Sequence, residues 1–249
     1  MKRIRLAALA FGILAVIGLP SLGRVDAQGE PELEPGSPER GEELFIVACA
    51  TCHGRQGRGA ASGPAITDAG AASADFQLRT GRMPLAQPPG EQPLRKPPAF
   101  EEQAIRDLVA YVASLGDGPP IPDVEIDASL SRGMELFVAN CAPCHGATGA
   151  GGAVGGGALA PALDQSSPRI VAEAMIIGPG QMPIFDLPGE DVRAVASYIE
   201  FLQTSDPPGG FSIGNIGPVP EGFVGWFVGM GLLALLAYLV GHDWRKAGG

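Results

Sequence analysis

Arg40-Gly41-Glu42-Glu43-Leu44-Phe45-Ile46-Val47-Ala48-Cys49-Ala50-Thr51-Cys52-His53-Gly54 returns 92 residues later as Arg132-Gly133-Met134-Glu135-Leu136-Phe137-Val138-Ala139-Asn140-Cys141-Ala142-Pro143-Cys144-His145-Gly146, with ten of the fifteen positions identical. Such a repeat marks two tandem modules and not one continuous domain. Each copy closes on a helical pattern: Ile105, Leu108, Val109, Val112 and Leu115 in the first, and Val192, Val195, Ala196, Ile199 and Leu202 in the second, recur at the spacing of one helix face. Ser37, ahead of Pro38 and Glu39, is an N-cap signal for the first opening helix, and Gly116 reads as the stop of the first closing one. These patterns predict an all-α fold with modules at 37–118 and 129–205. A leading linker covers 28–36, and a Pro-rich segment, 119–128, reads as an extended connection with little hydrogen bonding of its own. A further linker covers 206–222.

All four cysteines and two of the three histidines fall in the two Cys-x-x-Cys-His strings. That string is the sequence pattern of covalent c-type haem attachment. On a helical turn Cys49 and Cys52 share a face and can form thioethers to two vinyl groups, while His53 presents its imidazole to the iron; Cys141, Cys144 and His145 repeat the arrangement. Two other chemistries share the Cys-x-x-Cys core. A thioredoxin-like dithiol calls for a βαβ context, and a zinc site calls for four ligands where each module offers three. Composition points the same way. Of 249 residues, 37 are Gly, 24 are Pro and 15 are aromatic, a poor stock for two side-chain cores. Two covalently bound haem c groups would fill that space, and the modules are expected not to fold without them.

No histidine remains beside the repeats for a sixth iron ligand, which leaves methionine. Met83 in Gly81-Arg82-Met83-Pro84 and Met182 in Gly180-Gln181-Met182-Pro183 follow their histidines by 30 and 37 residues, each in a turn-prone stretch before the closing helix. Met175 is a competitor for Met182 but sits in the apolar run 170–177, and Met134 lies too near its own attachment string. Methionine ligation raises the potential relative to a second imidazole, and a six-coordinate iron has no open position for oxygen or peroxide, so the expected chemistry is electron transfer. Gly63-Pro64-Ala65-Ile66 and Ala160-Pro161-Ala162-Leu163 are candidates to offer a backbone carbonyl to the Nδ1 proton of each iron-binding histidine.

The chain ends read as membrane signals. Lys2, Arg3 and Arg5 precede an apolar stretch, 6–19, and Val25-Asp26-Ala27 has small residues where a signal peptidase requires them, so 1–27 reads as a cleaved secretory signal; an uncleaved N-terminal anchor is the alternative. Near the other end, 223–241 reads as one transmembrane helix, with Trp226 and Trp244 near its two ends and Arg245 and Lys246 beyond. The positive-inside rule then leaves 242–249 as a cytoplasmic tail and puts both modules on the extracytoplasmic side of the cell membrane. With 17 basic against 27 acidic residues and no basic run after the first few positions, no nucleic-acid partner is expected.

Residues 37–118 and 129–205 each resemble a class I cytochrome c domain, with Gly41/Phe45, Gly133/Phe137, Tyr111 and Tyr198 where that family crosses its terminal helices. Two such domains, followed by Pro207-Pro208-Gly209-Gly210-Phe211, Gly217-Pro218-Val219-Pro220-Glu221-Gly222 and one C-terminal span, resemble the dihaem cytochrome c subunit of the menaquinol:cytochrome c reductase (cytochrome bc complex) of Gram-positive type. The stretch from Phe76 to Pro84 is similar to that subunit's first ligand loop. The resemblance implies a subunit of a quinol:cytochrome c oxidoreductase (translocase) with no substrate chemistry of its own. Its implied partners are a cytochrome b subunit, a Rieske iron-sulfur subunit as electron donor, and a haem-copper oxidase as acceptor within a supercomplex. Members of that family often carry an additional N-terminal membrane helix, where 6–19 looks more like a signal. A dihaem carrier serving another membrane dehydrogenase or oxidase would use the same iron chemistry. A dihaem peroxidase would need one displaceable ligand, which the matched Met-Pro pair argues against.

Overall fold

The computed structural model describes residues 33–86, 93–126, 128–205 and 218–247. The expected signal, 1–27, and most of the linker at 206–222 lie outside these residues. The first module contains α1 (Pro38–Ala48), α2 (Ala50–His53), α3 (Gly70–Arg79) and α4 (Glu102–Ala113). The second contains α5 (Leu130–Asn140), α6 (Ala142–His145), a hairpin of β1 (Gly152–Gly155) and β2 (Ala158–Ala160), α7 (Pro168–Ile177) and α8 (Gly189–Thr204). A last helix, α9, spans Pro218–Ala247. The fold is helical as expected, with one small antiparallel hairpin added.

Local chemistry starts these helices where they start. Ser37 and Ser129 cap α1 and α5, each hydroxyl accepting the N–H three residues on, and Ser167 does the same for α7 ahead of Pro168. α4 ends at Ala113 with Ser114 as its cap, so Gly116 is not the stop the sequence suggested. Gly116 is instead a point of close approach, where a Cβ would collide with the Thr67 carbonyl.

In each module the opening helix crosses the closing one, α1 on α4 and α5 on α8. Glycine makes the crossing possible. A Cβ on Gly41 would collide with the Asp107 carbonyl and one on Gly133 with the Ala194 carbonyl, so the helix backbones touch there. Beside the crossings Phe45 packs on Tyr111 (ring centroids 5.1 Å apart) and Phe137 on Tyr198 (5.5 Å). The periodic faces fill the cores: Ile105, Leu108, Val109 and Val112 are buried in one, Val192, Val195, Ala196 and Ile199 in the other. A bidentate ion pair clamps each crossing, Arg40 to Asp107 at 2.8 and 2.9 Å and Arg132 to Asp191 at 2.9 and 2.8 Å.

The modules also pack on each other, through α3 and α7. Arg169 Nη1 lies 3.8 Å from Asp75 Oδ2, and Arg95 donates to Ser166 Oγ at 3.3 Å and to the Gln165 carbonyl. The linker between them is more tied down than its proline content suggested. The Pro119 carbonyl accepts the Ala72 N–H at 3.1 Å, Ile121 packs on the first core and Val124 on the second.

Within α9, residues Gly222–Gly241 form a 20-residue stretch of mean hydropathy 2.2. At 1.5 Å per residue it measures about 30 Å, the thickness of a hydrocarbon core. The helix extends beyond both boundaries expected for the span, since Pro218 and Pro220 fall in its first turn, where proline is tolerated.

Candidate functional site

Each Cys-x-x-Cys-His string is built as a corner between two helices. Cys49 caps α1, its N–H donating to the Phe45 carbonyl at 2.8 Å, and its own carbonyl accepts from Cys52 and His53 at 3.1 and 3.0 Å. Cys141 repeats this, bonding Phe137 at 2.8 Å and receiving Cys144 and His145 at 3.1 and 2.8 Å. Gly54 and Gly146, with φ of 74° and 77°, then end the turn in a conformation that disfavours any side chain. Two thiols and an imidazole thus project from one short helical turn in each module.

The imidazoles are fixed from behind. His53 Nδ1 lies 2.8 Å from the Pro64 carbonyl and His145 Nδ1 lies 2.9 Å from the Pro161 carbonyl. A carbonyl only accepts, so Nδ1 carries the proton in both rings and Nε2 keeps its lone pair for a metal. These are the two proline segments singled out in the sequence.

Burial, reinforced by the neighbouring Cys52 or Cys144, pushes the thiols of Cys49 and Cys141 up to about 11. A dithiol redox centre needs the opposite shift, toward a thiolate. Among the described residues no three His, Cys, Asp or Glu side chains converge as a zinc site would require.

A large cavity in the second module brings the expected residues together. Cys141, Cys144 and His145 line it together with Met182, Pro183 and Phe185. Leu163, Ile170, Val171, Val195 and Ile199 make the space between largely apolar. Two vinyl-reactive thiols, an imidazole with Nε2 available, a thioether and an apolar slot are the donor set and enclosure that haem c requires. Met175, buried at 2% exposure in the second core, also reaches this lining, whereas Met134 is 49% exposed and takes no part. In the first module Met83 packs against the core that also receives Cys49, Ile66 and Phe100.

One feature has no local signature in the sequence. The second module's cavity is completed by the first module, through Phe76, Gln77, Thr80, Arg82, Pro93 and Arg95. Gln77 Oε1 is buried there with no hydrogen-bond partner among the described residues. The stretch from Phe76 to Pro84 stood out as a ligand loop of its own module, but contact across modules arises only once α3 packs on α7.

Known proteins bear on this geometry. Residues 38–116 match the family described as cytochrome c, and residues 128–199 match the one described as cytochrome c oxidase, cbb3-type, subunit III. The cytochrome bc1 complex cytochrome c subunit of Corynebacterium efficiens is 33% identical over 271 residues, covering 96% of this chain and 91% of that protein. Its namesake from Mycobacterium tuberculosis is 35% identical, covering 94% of this chain and 90% of the relative. A cbb3-type cytochrome c oxidase subunit FixP from Rhizobium meliloti is 29% identical but covers only 49% and 43%. Cytochrome c domains carry covalently bound haem c, and the Cys-x-x-Cys strings at 49–52 and 141–144 are consistent with that attachment. With two such domains in one chain and similarity running nearly end to end, the protein belongs to the family of cytochrome c subunits of the cytochrome bc1 complex.

Proposed function

We propose that the chain is a membrane-anchored dihaem electron carrier, taking electrons from the Rieske centre of a menaquinol:cytochrome c reductase and delivering them to a haem-copper terminal oxidase. The observation that carries this reading is the near full-length similarity to bc1-complex cytochrome c subunits. Each bound haem c supplies a one-electron iron couple.

The chain's own residues do the rest. Cys49 and Cys52, and Cys141 and Cys144, provide the thioether links; His53 and His145 ligate through Nε2, oriented by the Pro64 and Pro161 carbonyls. Met83 and Met182 would hold the iron through their thioethers, which would raise its potential and leave no position open to small molecules. Module boundaries at 37–118 and 129–205, with a linker at 119–128, keep the two centres on one tether, so transfer between them needs no diffusional encounter. Gly222–Gly241 anchors the chain, with the modules extracytoplasmic and the Lys- and Arg-bearing C-terminus in the cytoplasm.

A cytochrome b subunit, the Rieske subunit and an oxidase are the partners this role requires. Purification through a tag on the C-terminal tail, with co-purifying chains identified by mass, tests it: all three partners are expected, and their replacement by a dehydrogenase or by cbb3-oxidase subunits would overturn the assignment. The match of residues 128–199 to the cbb3-type family favours that second reading, a carrier subunit of another dehydrogenase or oxidase, but over one module only.

A further inference from the structure

Haem carries two carboxylates on the edge of the macrocycle away from its thioether links, and a largely apolar pocket must neutralise them or expose them to water. Among the described residues lining the second module's cavity, the only formally charged side chains are Arg82 and Arg95. Both belong to the first module. The second module contributes neutral groups alone to this wall, such as Asn140, Ser166 and Gln181.

Neither arginine is committed to an acid: among the described residues neither meets a carboxylate. Arg82 stacks its guanidinium 4.9 Å from the Phe76 ring centroid, and Arg95 reaches across to Ser166 and the Gln165 carbonyl. Both line the same cavity, where one anionic group can answer both charges. A guanidinium presents a planar fork that matches a carboxylate, and each has N–H groups left over from the bonds just named.

We propose that Arg82 and Arg95 of the first module bind the propionates of the haem held by the second, so that the second cofactor site spans the module interface. This rests on the reading that the second module carries haem c. Cations beside the propionates favour the reduced iron, so they raise the potential of the second centre. Arg82 also adjoins Met83, which places the first centre's ligand loop against the second centre's site.

The test is a spectroelectrochemical titration of the full-length protein and of Arg82→Gln, Arg95→Gln and the double variant, with attached haem counted per chain beforehand. One of two midpoint potentials is expected to fall, in the double variant by a tenfold change in the reduction equilibrium, about 59 mV for a one-electron couple. It is the couple that Met182→Ala also moves, and the Arg82→Lys, Arg95→Lys pair restores it. The proposal is overturned if both potentials hold in the double Gln variant, if the couple that moves is the one Met83→Ala moves, or if the Lys pair falls as far as the Gln pair. Loss of the second haem from the Gln pair with retention in the Lys pair supports it, and loss from both overturns it. Fewer than two attached haems in the unmutated chain defeats the underlying reading, and shows in the haem count before any potential is measured.

Discussion

Glu173 of the second module and Asp75 of the first are set against each other inside the module interface, only 0% and 2% exposed. Asp75 is held by Arg79 Nε at 2.8 Å, with Arg169 at 3.8 Å, and Arg79 is shared with Glu102. Among the described residues Glu173 has no donor on either oxygen, and the side chain it faces is itself an acceptor. A proton on Glu173 turns this contact into a hydrogen bond. Burial first, and the Asp75 charge second, push its carboxyl from the ordinary 4.5 up to about 9, against the opposing pull of Arg169 and Arg79.

The interface should therefore loosen as the solution becomes alkaline. Between 4.5 and about 9 the folded chain keeps a proton that the unfolded chain has released, so this contribution to stability is whole below 4.5 and declines as pH rises through the window. Glu173→Gln keeps a donor toward Asp75 and has nothing to titrate. Thermal melts at pH 5, 7 and 9 should show the variant losing less stability with pH than the parent; parallel curves would contradict the buried protonated carboxyl.

Helix crossing at Gly133 leaves no room for a methyl group, because a Cβ there would strike the Ala194 carbonyl and approach Tyr198 Cβ to 2.7 Å. Backbone cannot swing aside as a side chain can. Gly133→Ala should cost about 1–3 kcal/mol, the usual range for overpacking, and Gly41→Ala a comparable amount in the first module. Urea midpoints of the haem-loaded protein measure both; an unchanged midpoint in either variant would mean that the crossing is looser than its geometry.

Much of this was legible in the sequence because it is local or repeated. The attachment turns, the closing-helix faces, the Ser37 cap and the histidine-facing proline carbonyls follow from spacing alone. The hairpin had a signal that went unread: Gly156 and Gly157, with φ of 58° and 80°, suit a turn that needs positive φ at both central positions. The Arg40–Asp107 and Arg132–Asp191 clamps were hidden for another reason. Their arginines are equivalent in the repeat, but Asp191 stands three residues before Ala194, the counterpart of Asp107 at the crossing, so alignment of the repeats does not pair the acids. The wall that the first module lends to the second could not be read at all, since it depends on how two separate helices dock.

Breaking the first clamp should expose its acid dependence. Arg40 above all, helped by the Ser37 N–H and Gln103, holds Asp107 down to about 2 from 3.8, overcoming its burial. Its contribution is thus complete above 3.8 and fades as pH falls through about 2. Asp107→Asn should cost about 1–3 kcal/mol at pH 7, the range for losing charge-assisted hydrogen bonds and stranding their donors. Urea titrations at pH 7 and pH 3 check this, with the gap between parent and variant narrowing at pH 3; a gap that stays constant would assign the loss to packing.

Met182 and Met175 both reach the second cavity, so substitution must separate a ligand from a core side chain. Met182→Ala should lower the potential of one haem and open its iron to carbon monoxide, because a thioether ligand both favours ferrous iron and occupies the sixth position. Met175→Leu should leave both properties unchanged and cost less than about 1.5 kcal/mol, as volume-conserving core exchanges do. Met83→Ala should reproduce the Met182→Ala behaviour at the other haem. Carbon monoxide binding and redox titration of the three variants decide among them: a potential that falls with Met175→Leu, and holds with Met182→Ala, would move the ligand into α7.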